Sequence, residues 1–262
     1  MFIDSHCHIN FPELSARLPD ILGKMTENQV THALCVSVNM PEFPGVLALA
    51  EQYPQIYASV GVHPDYEETP EVSVDDLIRL ADHPRIVAIG ETGLDYYRLE
   101  GDLEWQRERF RIHIRASRAT GKPLIIHTRS ASEDTIRIMR EEGAGIDAGG
   151  AGGVMHCFTE SLQVAEAAME MGFYISFSGI VTFKSAKDLQ AVARAVPLER
   201  MLIETDAPYL APVPHRGKVN EPGLVRHVAE FLATLKEVPL EHVARQTTDN
   251  FFNLFKIQRV NA

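Results

Sequence analysis

Short runs of apolar, β-prone residues recur along the chain, and longer segments with helical spacing of apolar residues separate them. Eight such runs are present, and each is predicted to form a strand. They are MFIDSHCHI from Met1, HALCVSV from His32, IYASVGVH from Ile56, IVAIGETG from Ile86, PLIIHT from Pro123, GVMHCF from Gly153, FYISFSG from Phe173 and MLIETDA from Met201.

The segments between these runs include LEWQRERFRIHIRASRAT from Leu103 and SAKDLQAVARAV from Ser185, which are predicted to be helices. Strands that alternate with helices pair in parallel through right-handed crossovers. Eight units in a chain of 262 residues indicate the α/β class and a (β/α)8 TIM barrel, with residues 1–262 forming a single domain. An open doubly wound sheet is the alternative, but the first strand is not followed by the glycine-rich turn that such a sheet uses.

Composition excludes several classes of protein. Hydrophobic residues make up 45% of the chain and charged residues 23%, which is typical of a soluble globular protein. No apolar run reaches the roughly 18 residues of a membrane span, and no signal peptide is recognisable at the start. The three cysteines form no CxxC pair, so we expect reduced thiols and a cytoplasmic location. The net charge of −11 argues against a protein that coats long duplex DNA.

The first predicted strand contains two histidines, His6 and His8, that alternation places on the same face. Two imidazoles on an apolar strand are costly to bury unless something binds them. Cys7 and Cys157 are expected to point the opposite way and to pack against the outer helices.

Further polar residues follow the other predicted strands, where a barrel of this type builds its active site. They are His63, Glu91, His127, His156, Glu204 and Asp206. Several imidazoles and carboxylates that converge on one rim predict a metal site. Six ligands exceed what one catalytic ion needs, whereas two ions that share Glu91 use His6, His8, Glu91, His127, His156 and Asp206. This donor set favours two divalent ions such as Zn²⁺ or Mn²⁺, and Mg²⁺ stays open because of its abundance.

The ordered motifs resemble the TatD family of metal-dependent hydrolases, a branch of the amidohydrolase superfamily of (β/α)8 barrels. The matching stretches lie between residues 4 and 222, and together they are highly specific. They read DSHCHI, GVHP, AIGETGLDYY, PLIIHTR, GVMHCFT, ISFSGIVTFK and LIETDAPYLAPVPHRGKVNEP. One difference from the family pattern is His215, at a position where a tyrosine is expected.

The resemblance implies a ligand set for each ion. The first ion is held by His6, His8, Glu91 and Asp206, and the second by Glu91, His127 and His156. It also implies hydrolysis of DNA phosphodiester bonds, as a deoxyribonuclease and most simply a 3′–5′ exonuclease. A hydroxide that bridges the ions is the expected nucleophile.

Several residues are assigned roles around this reaction. Asp206 is expected to take the proton, Glu204 to support the ligands, and His63 to contact the substrate or the leaving group. DNA ends or short nucleic acids are the expected partners, with contacts from Arg129, Arg216 and Tyr96. No feature indicates an obligate protein partner.

Two other functions remain open. The same nucleophile attacks carbonyl carbon, so an amide or ester hydrolase, such as an aminoacyl-tRNA deacylase, is the alternative enzyme. A metal-stabilised scaffold without activity is disfavoured, because structural zinc sites are closed, four-coordinate and usually rich in thiolates.

Overall fold

The computed structural model describes residues 1–97, 99 and 101–258. This part of the chain contains eight strands, as the apolar runs predict. Their bounds are β1 Phe2–Cys7, β2 Val30–Cys35, β3 Ile56–Val60, β4 Ile86–Asp95, β5 Leu124–Arg129, β6 Gly153–Met155, β7 Tyr174–Phe177 and β8 Met201–Ile203.

The strands pair in parallel and in chain order from β1 to β8, which confirms the predicted TIM barrel. β1 and β8 are the first and last strands of this order, and the boundary between them is called the seam. Individual hydrogen bonds join the two strands there. The Ser5 hydroxyl donates to the Ile203 carbonyl at 2.9 Å. Beyond it, the Asp206 amide donates to the His6 carbonyl at 3.0 Å, and the His8 amide donates to the Ala207 carbonyl at 2.8 Å. The seam therefore aligns β1 with the residues that follow β8.

Side chains reinforce the same seam. The Asp4 carboxyl group accepts hydrogen bonds from the Thr205 amide at 2.9 Å and from the Thr205 hydroxyl at 2.5 Å. Both residues are fully buried. Burial raises the pKa of Asp4 to about 8, because the charged form is poorly solvated there.

Helices cover the outside of the sheet. Their bounds are α1 Pro12–Ser15, α2 Leu18–Glu27, α3 Phe43–Gln52, α4 Val74–Ala81, α5 Glu104–Thr120, α6 Ser132–Glu141, α7 Leu162–Glu170, α8 Lys187–Ala195, α9 Val225–Lys236 and α10 Leu240–Leu254. Of the two helices predicted by periodicity, the first corresponds to α5, which ends where Gly121 adopts a left-handed φ of 67°. The second corresponds to α8. None of the helices in the described ranges combines the length and apolar character that crossing a bilayer requires.

Helix α10 lies at the amino-terminal ends of the strands. The Asn250 amide donates to the carbonyls of Leu198 and Met201, both at 2.8 Å, at the start of β8. Phe251 and Phe255 pack in one hydrophobic cluster with barrel residues that include Ile3 and Leu202. This packing fills the amino-terminal end, so the carboxyl ends of the strands remain for chemistry.

Candidate metal centre

A cavity of about 750 Å³ opens among the carboxyl ends of the strands. Its wall includes most of the polar residues that the sequence places at this rim. They are His8, His63, Glu91, His127, His156 and Asp206. His6 lies directly beside this wall, and its side chain is buried. The strand ends therefore bring together all six predicted metal ligands.

Glu91 lies at the centre of this group, and its two carboxylate oxygens face different histidines. Oε2 is 3.3 Å from Nε2 of His6 and 3.9 Å from Nε2 of His8. Oε1 is 2.8 Å from Nε2 of His156 and 3.4 Å from Nδ1 of His127. The carboxylate is therefore placed to join two sets of donors.

Asp206 completes the side that contains His6 and His8. Its Oδ1 lies 3.7 Å from Nε2 of His6 and 3.4 Å from Nε2 of His8. The residue follows β8 and has a left-handed φ of 56°, so strand alternation does not determine its direction. Its side chain is 16% exposed, whereas that of Glu91 is 3% exposed. Asp206 is thus the more accessible of the two carboxylates.

The donors fall into overlapping groups small enough to surround an ion. Within each group the ligand atoms lie within 4.8 Å of one another. The groups are His6 with His8 and Glu91, His63 with Glu91 and His127, and His6 with His156 and Asp206. Imidazole and carboxylate donors without thiolates suit divalent transition ions.

One buried nitrogen supports this interpretation directly. Nε2 of His156 makes no hydrogen bond with any residue that the structure describes, although Glu91 Oε1 is 2.8 Å away. The other ring nitrogen, Nδ1, lies 3.1 Å from Oε1 of Glu204. Burial disfavours the charged ring, but the carboxylates of Glu91 and Glu204 outweigh it and raise the pKa of His156 well above its usual value. A divalent ion between His156 and Glu91 would displace the proton from Nε2 and use the lone pair that it leaves.

Two buried carboxylates orient histidines of the centre. Glu204, the residue expected to support the ligands, contacts His156 and also accepts a hydrogen bond from the Cys157 amide at 2.8 Å. Asp95, at the end of β4, lies 3.0 Å from Nε2 of His127. Carboxylate–histidine pairs of this kind fix the ring and its tautomer at metal sites. Asp95 is a candidate supporting residue that the sequence pattern did not indicate.

The electrostatics keep both candidate ligand carboxylates ionised. Burial favours the neutral form of Glu91, but the imidazoles of His156 and His63 outweigh it and hold its pKa well below the usual range. Burial of Asp206 is likewise outweighed, first by a hydrogen bond from His8, and its pKa is lowered. Both groups are therefore carboxylates at neutral pH, the form that binds metal.

Comparison with known proteins identifies the family of this chain. The model of the family described as TatD related DNase matches residues 3–256. The chain belongs to the TatD family. It is 46% identical over 258 residues to the uncharacterized metal-dependent hydrolase YcfH of Escherichia coli (strain K12), covering 97% of this chain and 96% of that one.

Two further relatives are similar to this TatD-family chain over almost its whole length. It is 41% identical to the uncharacterized metal-dependent hydrolase YabD of Bacillus subtilis (strain 168), over 98% of this chain and all of the relative. The crystal structure of YJJV, a TatD homologue from Escherichia coli K12, superposes with a TM-score of 0.89 at 29% identity, covering 98% of each chain. The chain is therefore a metal-dependent hydrolase of the TatD family.

His63 lies closer to this TatD centre than a substrate contact requires. Its Nε2 is 3.3 Å from Oε1 of Glu91 and 3.3 Å from Nδ1 of His127. Its Nδ1 accepts a hydrogen bond from the Asp65 amide at 3.1 Å. His63 thus belongs to a possible ligand group, in addition to the substrate role expected from the sequence.

The three expected substrate contacts have different positions. Arg129 lines the cavity, with its guanidinium 3.8 Å from the centre of the Tyr97 ring. The Tyr96 hydroxyl instead donates to Asp134 at 2.7 Å, and Tyr96 does not line the cavity. Arg216 stacks over Phe183 at 4.4 Å and is also outside the cavity wall. Only Arg129 is brought to the cavity.

The two cysteines next to ligands differ from each other. Cys7 is fully buried and its thiol points to the Leu34 carbonyl at 3.4 Å, as alternation along β1 predicts. The same expectation is wrong for Cys157, which lines the cavity and contacts the Ser178 hydroxyl at 3.2 Å. The reason is that β6 ends at Met155, and Cys157 has a left-handed φ of 41°.

Proposed function

We propose that this TatD-family chain hydrolyses phosphodiester bonds of DNA with two divalent ions, removing nucleotides from 3′ ends. One observation carries the two-ion proposal. The two carboxylate oxygens of Glu91 face different donors, one toward His6 and the other toward His156 and His127. The family description as TatD related DNase supports the choice of DNA.

The first ion would be held by His6, His8, Glu91 and Asp206, and the second by Glu91, His127 and His156. Zn²⁺, Mn²⁺ and Mg²⁺ are the candidate ions. When bound, such ions polarise a phosphoryl oxygen and lower the pKa of water toward roughly 7. Glu204 and Asp95 would keep His156 and His127 in the required orientation.

Asp206 is the proposed general base. It is the more exposed carboxylate, it lines the cavity, and its lowered pKa leaves it unprotonated at neutral pH. A proton acceptor must lie within hydrogen-bond reach of the attacking water, and Asp206 lines the cavity with Oδ1 3.4 Å from Nε2 of His8. In this assignment Asp206 receives a proton from water as the water oxygen bonds to phosphorus. The bond from phosphorus to the 3′ oxygen of the preceding nucleotide breaks, so that a 5′-mononucleotide is released and the shortened strand ends in a 3′ hydroxyl.

The cavity is better suited to the end of a single DNA strand than to a DNA duplex. Its volume of about 750 Å³ is that of a pocket for a small ligand, which corresponds to few nucleotides. Phe11, Tyr66 and Tyr209 contribute aromatic rings to the wall, on which bases can stack. Arg129 contributes a cation that can pair with a phosphate. Because the protein has a net charge of −11, DNA binding must rely on this local site.

A substrate panel tests the proposal. Metal-loaded protein is incubated with single-stranded DNA, duplex DNA, RNA, simple esters and aminoacyl-tRNA, with Glu91→Gln as the inactive control. Single-stranded DNA labelled at its 5′ end should shorten one nucleotide at a time, whereas a 3′-terminal label should be released first. A 3′-phosphate should block the reaction.

Two outcomes would contradict the proposal. Faster hydrolysis of esters or aminoacyl-tRNA than of DNA would assign the centre to carbonyl chemistry. Internal cleavage of DNA with both ends blocked would replace the exonuclease by an endonuclease.

A further inference from the structure

Two histidines outside the catalytic cavity face each other across a gap between elements. His215 lies in the segment after β8, and His227 lies in the first turn of α9. Their Nε2 atoms are 3.2 Å apart, and their ring centres are 4.9 Å apart. Both side chains are partly exposed, so solvent reaches the pair.

The surroundings of His227 leave a lone pair on its side of this contact. Nδ1 of His227 lies 3.1 Å from Oε2 of Glu230, so Nδ1 carries the proton and Nε2 keeps a lone pair that faces His215. Glu230 is itself fixed by Arg226, whose Nε donates to Oε1 at 2.9 Å. Burial and the neighbouring His227 lower the pKa of His215, which keeps it neutral at pH 7. A carboxylate behind a histidine is the arrangement that orients metal ligands.

The distance between the two nitrogens is that of two ligands on one ion. Nitrogens at about 2.0–2.1 Å from a tetrahedral zinc ion are about 3.3–3.4 Å apart. The catalytic pair gives an internal comparison, because Nε2 of His6 and Nε2 of His8 are 3.3 Å apart. The pair formed by His215 and His227 therefore repeats the spacing found in the metal centre.

We propose that His215 and His227 bind a divalent transition ion of the Zn²⁺ class, separate from the catalytic centre, with water filling the remaining positions. Imidazole is a preferred ligand of such ions, and Glu230 supplies negative charge behind the site. The ion would fasten the segment after β8 to α9. Because this segment also contains Tyr209 and Leu210 of the cavity wall, the site would hold one side of that wall in place.

The test is zinc binding by the untagged full-length protein. Metal-stripped protein is titrated with Zn²⁺ by calorimetry, and bound zinc is measured after equilibrium dialysis. His215→Gln and His227→Gln should each bind one ion fewer per chain than the parent. His83→Gln is the matched control, since His83 is a partly exposed histidine beside one carboxylate, 3.2 Å from Glu51, and it should bind as the parent does.

A second measurement locates the ion. Crystals grown with Zn²⁺ should show an anomalous difference peak at the zinc edge between His215 and His227, in addition to the catalytic peaks. Equal zinc content in all four proteins, or no peak between the two rings, would overturn the proposal and leave a simple hydrogen bond between imidazoles. Because two variants on different elements are used, misfolding of one does not decide the result.

Discussion

Asp206 is proposed both to bind a metal ion and to accept a proton, and a single substitution can separate these two roles. Replacing Asp206 by Asn keeps the shape and one weak acceptor oxygen but removes the charge and the basicity. If Asp206 takes the proton, turnover should fall on the order of 10²–10⁴-fold, as for other general bases. Binding of DNA should change much less. Single-turnover cleavage of a short oligonucleotide measures this, with metal content determined in parallel.

The matched control is Glu204, the other carboxylate that follows β8. Glu204→Gln leaves every proposed ligand in place and disturbs the contacts of Oε1 with Nδ1 of His156 and with the Cys157 amide. We expect a loss of roughly 10–100-fold in metal affinity or activity. An Asp206→Asn protein that retains its metal and cleaves at the parental rate would remove Asp206 from the chemistry.

At single positions, the sequence predicted which side chains reach the site where the backbone keeps the geometry of a strand. It failed where the backbone departs from that geometry. Six ligands could be chosen because each follows an apolar run on a strand. The direction of Cys157 could not be inferred, because a left-handed φ breaks the alternation. Asp95 could not be placed either, because the run predicted as β4 ends at Gly93, two residues before it, and Gly93 has a positive φ of 131°.

Among the elements, the pair of strands β4 and β5 sets the distance between Glu91 and His127. Gly93 of β4 pairs with His127 and has a φ of 131°, and a Cβ built on it lies 2.0 Å from the His127 carbonyl oxygen. Gly93→Ala should destabilise the fold by about 3 kcal/mol or more, from backbone strain and displacement of β5. Urea unfolding measures this change.

Gly23 provides the control for the same chemical change. It is an exposed residue of α2, and a Cβ built on it meets no atom within 4 Å. Gly23→Ala should therefore stabilise the protein by about 0.5–1 kcal/mol through better helix propensity. Equal unfolding midpoints for Gly93→Ala and the parent would show that β5 can move without cost.

The order of elements was predictable because eight apolar runs alternate with helical periods, which fixes parallel pairing. The ends of strands were less predictable. β4 continues to Asp95, two residues beyond the predicted run, because Gly90 and Gly93 adopt positive φ values that let the chain follow β5 past Glu91. Such a continuation depends on close packing between neighbouring strands, which local patterns do not contain.

For the whole molecule, the number of bound ions tests whether the two carboxylate oxygens of Glu91 serve two different ions. In the His227→Gln background, which removes the separate pair, the protein should bind two divalent ions per chain. Elemental analysis after loading and dialysis gives the ratio. A value that never exceeds one, with His127 and His156 intact, would contradict the two-ion centre.

The stability of the whole fold should depend on pH through His113. This buried residue accepts a hydrogen bond from the Val62 amide at Nε2 and contacts the Arg109 carbonyl at Nδ1. Burial lowers its pKa to about 4, from 6.5 in the unfolded chain. The unfolded state therefore binds more protons between these values, and stability falls as the pH drops. The expected contribution is a loss of about 2 kcal/mol between pH 7.5 and pH 5.

His113→Gln isolates this contribution, since glutamine can still accept from the Val62 amide but does not titrate. Urea unfolding of both proteins with EDTA present, at pH 7.5 and at pH 5, gives four free energies. The parent should lose about 2 kcal/mol more than the variant. Parallel behaviour of the two proteins would exclude His113 as the source.

The seam between β1 and β8 has a consequence for synthesis of the protein on the ribosome. Asp4 and Thr205, which join across it, are 201 positions apart, so the partner of β1 emerges only after most of the barrel has been translated. Until then β1 can pair with β2, but His6 and His8 lack Asp206 and the hydrogen bonds that join β1 to the residues after β8. A polypeptide cut short before β8 therefore holds no complete centre. Hydrolytic activity therefore requires a chain that has been translated through β8 and Asp206.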